Sequence, residues 1–254
     1  MATVFAIVGT QRTGTTLIRT SLDSHPDALC SGEVFKGGKR PYKEPDGYWA
    51  FCRQSLPNRI RHYIARRRNV FAFLDRLLSR RGAEAVGFKI MYSHTRRYPE
   101  VVEYIRQQEV CVIHVTRRNF LRTLISRDMA RLTGIYHRTA NSAQSAPTAI
   151  ELDVSILVQR LQNIANEEHA WDSLLLGHSR VHKVCYEDFV DDRPAVTRGL
   201  LQFLGLRYTD LNSPLERLNS SDMQNLISNY GEVATVLRMT PFYTLLAREA
   251  GYEQ

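Results

Sequence analysis

The first segment of the chain that could do chemistry is a loop with glycines at both ends, Gly9 and Gly14. It belongs to the run Gly9-Thr10-Gln11-Arg12-Thr13-Gly14-Thr15-Thr16. An apolar stretch precedes this loop and a helical pattern follows it. Such a loop points backbone N–H groups and the positive end of a helix dipole at one position, as a phosphate or sulfate requires. The hydroxyls of Thr13, Thr15 and Thr16 add hydrogen-bond donors. Arg12 adds a positive charge. We interpret the segment as an anion-binding loop, with an ordinary strand-to-helix turn as the alternative.

The loop has the length of a Walker A motif, Gly-x-x-x-x-Gly-Lys-Ser/Thr, but Thr15 stands at the lysine position. The cation is Arg12, inside the loop. No aspartate after a predicted strand offers an evident ligand for the Mg²⁺ of a nucleoside triphosphate. These departures count against an ATPase or a kinase. A P-loop kinase-like enzyme remains an alternative, which Mg²⁺-dependent turnover of ATP would identify.

A second candidate site follows the apolar run Val112-Ile113-His114-Val115, where Arg117 and Arg118 come directly after a predicted strand. Ligands of open α/β sheets collect at the carboxyl ends of the strands. Ser126 lies eight residues beyond Arg118, which is about 12 Å along a helix. That separation allows one phosphate-bearing nucleotide to reach both residues.

Taken together, these segments resemble the sulfotransferases that use 3′-phosphoadenosine 5′-phosphosulfate (PAPS). Residues 11–16 are similar to the family pattern Pro-Lys/Arg-Ser-Gly-Thr/Ser-Thr, with Gln11 in place of the proline. Arg118 and Ser126 match the family's pair for the 3′-phosphate. Residues 184–189, which include Tyr186, and residues 203–205 are similar to its Tyr-Glu-Asp-Leu and Phe-Leu-Gly elements. The Arg-Lys-Gly element that cytosolic animal members carry near the C-terminus is absent.

A narrower resemblance is to the bacterial trehalose-sulfotransferase branch, through residues 86–91 and 127–137. The resemblance implies transfer of a sulfuryl group to a hydroxyl of a small polar acceptor: a saccharide, a glycolipid or a secondary metabolite. It implies PAPS as donor and 3′,5′-bisphosphoadenosine (PAP) as product, with no metal. The residues that it assigns to the nucleotide are Gln11, Arg12, Thr13, Gly14, Thr15, Thr16, Arg118, Ser126 and Tyr186.

Sulfuryl transfer needs a base for the acceptor proton and a cation for the leaving phosphate. Arg12 is the predicted cation. Glu33 is the favoured base, because it follows the first helix and returns toward the loop, and because the trehalose branch also carries a Glu there. His94 is the competing base. It lies just past a predicted strand, and the usual pKa of histidine suits a base near neutral pH. Lys89 lies within a strand and receives no role.

The composition is that of a globular protein. The chain has 254 residues, of which 43% are hydrophobic and 24% charged, and its formal net charge is +8. No run approaches the ~18 apolar residues of a membrane span. The four cysteines form no Cys-x-x-Cys pair and the eight histidines show no metal-binding spacing. We expect a cytoplasmic protein without a membrane span, a zinc site, a disulfide framework or a nucleic-acid partner.

Part of the basic surplus is concentrated in the run from Arg59 to Arg68. It alternates with Ile60, Tyr63 and Ile64, and Val70 follows. This pattern predicts an amphipathic helix whose arginines form the solvated face. The alternative is a polyanion-binding surface on a protein without catalytic activity.

The periodicity of the chain alternates between strands and helices. Predicted strands are residues 4–8, 85–92, 110–115 and 181–186. Predicted helices are residues 16–22, 48–80 with a break at Pro57, 99–108, 119–134 with Asn119 and Gly134 at its ends, 153–176 begun by Asp153, and 193–204 closed by Gly205. A loop that could gate the site is expected at residues 137–147. The pattern predicts an α/β fold: a single P-loop-type domain over residues 1–254, with a central parallel sheet flanked by helices on both faces.

Overall fold

The computed structural model describes residues 2–36, 46–80, 82–134, 149–213 and 222–246. At its centre is a sheet of five parallel strands in the order β2-β3-β1-β4-β5. The strands are β1 (Thr3–Gly9), β2 (Ala28–Glu33), β3 (Ala85–Met91), β4 (Cys111–Thr116) and β5 (Val181–Cys185). Because β1 is the middle strand, the loop that follows it lies at the centre of the carboxyl edge of the sheet.

Helices connect the strands. They are α1 (Thr15–Leu22), α2 (Tyr48–Arg53), α3 (Leu56–Ile64), α4 (Arg66–Leu78), α5 (Tyr92–Arg97), α6 (Glu100–Gln107), α7 (Phe120–Thr133), α8 (Val154–Leu175), α9 (Tyr186–Asp191), α10 (Arg193–Leu204) and α11 (Tyr230–Leu237), with a 3₁₀ helix at Tyr243–Leu246. In the described part of the chain, no helix is both long and apolar enough to cross a membrane.

Alternate side chains of β1 enter two apolar cores on opposite faces of the sheet. Ala6 and Val8 pack in a core that includes residues of α4 and α6. Phe5 and Ile7 pack in a core that includes residues of α1 and α10. All four side chains are fully buried. The prediction of a parallel sheet covered on both faces is therefore confirmed.

The predicted helix ends agree with the structure. The side chain of Asn119 accepts a hydrogen bond from the backbone N–H of Arg122 at 3.0 Å, as an N-cap does. Asp153 caps α8 in the same way. Gly134 and Gly205 end α7 and α10 in the left-handed conformation that glycine adopts without strain.

Several parts of the element assignment differ from the structure, which also contains helices α5, α9 and α11 that were not predicted. Strand β2 was not predicted, because Ala-Leu-Cys-Ser-Gly-Glu has no β-branched residue and little alternation. The break expected at Pro57 occurs instead at Ser55, the N-cap of α3, and at Ala65, so that Pro57 occupies the first turn of α3, where proline is tolerated. The gating loop expected at residues 137–147 lies outside the described residues.

Helix α3 packs in the opposite sense to the prediction. Ile60, Tyr63 and Ile64, the expected packed face, are 47%, 76% and 78% exposed. Polar side chains face the protein instead: the Asn58 amide donates to the Phe51 carbonyl at 3.1 Å, and His62 packs on the ring of Trp49. The prediction that the apolar residues of this run face the core was therefore wrong for α3, because its inward contacts are hydrogen bonds and ring contacts.

Candidate functional site

The loop after β1 has the backbone conformation of an anion-binding turn. Arg12 and Gly14 have φ values of +70° and +89°, and the Thr13 hydroxyl donates to the Thr10 carbonyl at 2.8 Å. Gly14 is the N-cap of α1 and has no side chain to satisfy the first N–H groups of that helix. Those donors are left to bind an anion at the helix N-terminus.

The ring of Tyr186, at the start of α9, covers Gly14. A Cβ at Gly14 would lie 2.5 Å from Cδ2 of Tyr186. The guanidinium of Arg117 lies over this ring, 4.5 Å from its centroid, and its Nη1 donates to the Arg12 carbonyl at 3.2 Å. The contact between Tyr186 and the loop requires a residue without a side chain at position 14.

This contact gives a first testable prediction. Gly14→Ala should lower the free energy of unfolding by about 2 kcal/mol or more, because the left-handed backbone costs about 1–2 kcal/mol and the contact with Tyr186 adds to it. Gly134→Ala is the matched control, since Gly134 has a similar φ of +70° with nothing within 4 Å of its added Cβ. Urea unfolding of both variants measures the difference. Equal losses would show that Tyr186 can move aside.

Arg118 and Ser126, the predicted pair for the 3′-phosphate, have separate partners in the structure. The Ser126 hydroxyl accepts a hydrogen bond from Nε of Arg12 at 2.8 Å. The Arg118 guanidinium is exposed and donates to both oxygens of Asp188, at 2.5 and 2.7 Å. Glu187 accepts the backbone N–H groups of Arg118 and Asn119. The structure therefore links the first loop directly to α7, and Arg118 to α9.

Arg127 and Glu167 support the loop from its other side, and neither was given a role from the sequence. The Arg127 guanidinium donates to the Gln11 carbonyl at 3.3 Å and to the Thr10 hydroxyl at 2.5 Å. Thr10 in turn donates to Glu167 at 3.2 Å. Arg96 forms an ion pair with the same carboxylate. The only sequence signal was the cluster of arginines after β4, to which Arg127 belongs.

A buried lysine connects the loop to the favoured base. Lys89 Nζ donates to the Thr16 hydroxyl at 2.8 Å and forms an ion pair with Oε1 of Glu33 at 2.9 Å. The parallel pairing of β2 with β3 brings Glu33 opposite Lys89, after an irregularity that begins at Ser31. The Lys89 side chain is 4% exposed and that of Glu33 is 19% exposed. Lys89 therefore belongs to the site, although its position in the sequence suggested no role.

The candidate bases lie side by side. Nε2 of His94 is 3.8 Å from Oε2 of Glu33. Burial alone would raise the pKa of Glu33, but the charge and hydrogen bond of Lys89 hold that pKa below its usual range. Burial lowers the pKa of His94, and Glu33 only partly opposes this shift. Near neutral pH, the site therefore contains an ionised carboxylate beside an uncharged imidazole.

The imidazole of His94 is oriented by the backbone. The N–H of Met91 donates to Nδ1 of His94 at 3.4 Å. Because Nδ1 accepts a hydrogen bond, the proton of the neutral ring lies on Nε2, which faces Glu33. The N–H of His94 therefore faces the Glu33 carboxylate from 3.8 Å, which is longer than a hydrogen bond.

No group of three potential ligands suited to a metal ion occurs among the residues that the structure describes. All four cysteines are free: Cys30, Cys52 and Cys111 are buried, and Cys185 is partly buried.

Comparisons with known proteins point to one family. The sequence model of a group described as "Sulfotransferase family" matches residues 5–210. The fold is similar to a sulfotransferase domain from the curacin biosynthetic pathway, with a TM-score of 0.51 and 12% identity, over 82% of this chain and 76% of that one. It is also similar to a mouse sulfotransferase complexed with PAP, with a TM-score of 0.50 and 12% identity, over 98% and 67% of the two chains. No curated protein matches the sequence.

Proposed function

Because the chain belongs to the sulfotransferase family, we propose that it transfers a sulfuryl group from PAPS to a hydroxyl of a small polar acceptor. The observation that carries this proposal is the contact between the anion-binding loop and the Lys89–Glu33 pair. This contact supports the proposal because groups suited to the donor would then lie next to a group suited to the acceptor. We assign the acceptor to the saccharides, glycolipids or polar secondary metabolites, in line with the resemblance to the trehalose-sulfotransferase branch.

In the proposed complex, the N–H groups of residues 11–16 surround the 5′-phosphosulfate. Arg12 lies in this loop, and its hydrogen bond to Ser126 holds its guanidinium at the helix α7 side of the loop. We assign the binding of the 3′-phosphate to Ser126 and Arg118. In this complex the Arg118 guanidinium would leave the Asp188 carboxylate and donate to the phosphate instead. We assign Tyr186, packed on Gly14, to a wall of the same site. PAPS brings the activated sulfuryl group, and these residues orient it.

We propose Glu33 as the base that takes the proton of the acceptor hydroxyl. Its ion pair with Lys89 keeps it ionised, which is the form that accepts a proton. The lone pair of the neutral His94 ring is on Nδ1 and accepts the hydrogen bond from the Met91 N–H, so the side of the ring that faces Glu33 carries the N–H. That orientation supports Glu33 over His94. It gives His94 the role of orienting the carboxylate.

Binding of the product nucleotide gives a second prediction. The protein should bind PAP at least about tenfold more tightly than AMP, which equals about 1.4 kcal/mol, because only PAP carries the 3′-phosphate. Arg118→Ala should remove most of this preference. Arg131→Ala is the matched control, as an exposed arginine on α7 paired with Asp128. Isothermal titration calorimetry measures the six affinities, of the wild type and the two variants for PAP and for AMP, and equal binding of PAP and AMP by the wild type would refute the assignment.

The activity itself is tested by a screen of hydroxylated acceptors with ³⁵S-labelled PAPS. Labelled product from any acceptor class supports the transfer reaction. PAP binding without product from any class would indicate a nucleotide-binding protein that does no chemistry. Mg²⁺-dependent hydrolysis of ATP, without PAP binding, would indicate the kinase-like alternative.

Two further assignments complete the proposal. We propose that residues 1–254 act as one domain, since residues from α1 to α10 share the cores of the same sheet. We propose a cytoplasmic location, where a reducing environment keeps the four free cysteines as thiols.

A further inference from the structure

Helix α3 presents its apolar side to solvent and its polar side to the protein. Its apolar residues have the spacing i, i+4, i+7, i+8, which places them on one face of a helix. They are Leu56, Ile60, Tyr63 and Ile64, and all four are exposed, Leu56 by 60%. The opposite face carries Asn58 and His62, which contact α2. No residue of α3 is buried.

Arginines flank this apolar face. Arg59 and Arg61 lie on α3 on either side of it, and Arg66, Arg67 and Arg68 begin α4. Arg66 and Arg67 pair with Glu100 and Glu103 of α6. Arg59, Arg61 and Arg68 form no ion pair with any described residue. A groove of about 630 Å³ at the junction of the two helices is lined by Tyr63, Ile64, the three α4 arginines and Glu100, so apolar side chains and a surplus of cationic ones share one recess.

We propose that α3 and the first turn of α4 dock on the surface of an anionic lipid bilayer. A helix that lies in a bilayer interface combines one apolar face with flanking lysines or arginines, which is the composition of α3. The apolar side chains enter the boundary between headgroups and acyl chains. The arginines then contact the anionic headgroups, which attract basic residues near such a surface.

The positive charge of this surface favours an anionic bilayer over a second copy of the chain as the partner that covers it. A symmetric dimer would bring the same patch of two protomers together. It would then oppose two sets of uncompensated arginines across one interface, and like charges there are destabilising. A free polyanion such as heparin would satisfy the arginines but leave the four apolar side chains in water. A bilayer with anionic lipids accounts for both features.

The docking surface lies next to the side of the site that carries the candidate bases. His62 of α3 packs on Trp49, with ring centroids 4.8 Å apart. Arg97 of α5 lies over the same Trp49 ring, at 5.8 Å. Helix α5 also carries His94, which is adjacent to Glu33. A docked molecule would therefore hold this side of the site close to the headgroups.

Sedimentation with lipid vesicles tests the proposal on the full chain, without PAP or acceptor, so that it is independent of the proposed reaction. We expect binding to phosphatidylcholine vesicles that contain about one-third phosphatidylglycerol, and at least about tenfold weaker binding to pure phosphatidylcholine. The double variant Ile60→Ser/Ile64→Ser should lose at least about tenfold in partitioning, because it removes apolar contact without changing charge. Arg59→Gln/Arg61→Gln should reduce the preference for anionic vesicles.

The matched control is Arg238→Gln/Met239→Ser, which changes an exposed arginine and a 92% exposed apolar residue on another surface. It should bind vesicles as the wild type does.

The serine variant should keep the thermal midpoint and PAP affinity of the wild type, since both isoleucines are exposed; a large drop in the midpoint would show that they are packed and overturn the proposal. Equal binding to both vesicle types would also overturn it. Heparin binding without vesicle binding would assign the surface to a polyanion, and a dimer lost in the serine variant would assign it to a second copy.

Discussion

Glu33→Gln is expected to lower the turnover number of sulfuryl transfer by about 10²- to 10⁴-fold while leaving the Kd of PAP close to that of the wild type. Glutamine keeps the shape of the side chain and can accept a hydrogen bond from Lys89, but it does not take up the acceptor proton. Glu33 ends the edge strand β2, whereas Arg118 and Ser126 follow β4, which lies three strands away in the sheet. Steady-state kinetics with ³⁵S-labelled PAPS, alongside calorimetry with PAP, separates the loss of chemistry from a loss of binding.

His94→Ala is the companion variant and should have a milder effect, because the role that we propose for His94 is to orient the carboxylate from its position 3.8 Å away. The pH profile distinguishes the two roles. Since Lys89 holds the pKa of Glu33 below its usual range, kcat/KM should stay constant from neutral to mildly acidic pH. A near-active Glu33→Gln combined with an inactive His94→Ala would transfer the role of base to His94. Loss of activity in both, with PAP binding intact, would show that the two residues act as a unit.

Arg12→Ala is expected to lower turnover by about 10²-fold or more, with a smaller loss of PAP affinity. Negative charge develops on the bridging oxygen as the bond from sulfur to the leaving phosphate breaks. Arg12 lies in the loop proposed to hold that phosphate, and Ser126 fixes its guanidinium there. We therefore expect its charge to stabilise the transition state more than the ground state. The same kinetic and calorimetric measurements apply.

Arg131→Ala again serves as the control for this prediction, because it removes an exposed arginine of α7 outside the loop. Its turnover should match that of the wild type. Turnover of Arg12→Ala equal to that of the wild type would remove Arg12 from the mechanism. A loss of PAP affinity as large as the loss of turnover would make Arg12 a binding residue only.

The parts of the site that local sequence predicts are those built from one continuous segment. The loop of residues 9–16 was identified because its glycines and threonines lie between a strand and a helix. The contact between Lys89 and Glu33 was not predicted, because it depends on the pairing of β2 with β3. Strand β2 lacks the β-branched residues that identify β1 and β4. Without it, nothing in the sequence places residue 33 opposite residue 89.

A similar limit applies to the arginines and to α3. The motif spacing identified Arg118 and Ser126, but the contact of Ser126 is with Arg12, more than a hundred positions away. Periodicity predicted a helical α3 with an apolar face. It does not state which face meets the protein, and the hydrogen bonds of Asn58 and the ring contact of His62 decide that.

The central place of β1 has a consequence for the order in which the protein folds during synthesis. Strand β1 precedes both of its neighbours in the chain, and it pairs with residues 85–91 on one side and 111–115 on the other. Contacts between residues so far apart form slowly, and a chain made from its N-terminus must wait for them. The first strand therefore stays without its pairing partners until β3 and β4 have left the ribosome. The apolar run of β1 is therefore unpaired during that interval, and the loop of residues 9–16 reaches its folded surroundings only after the middle of the chain has been made.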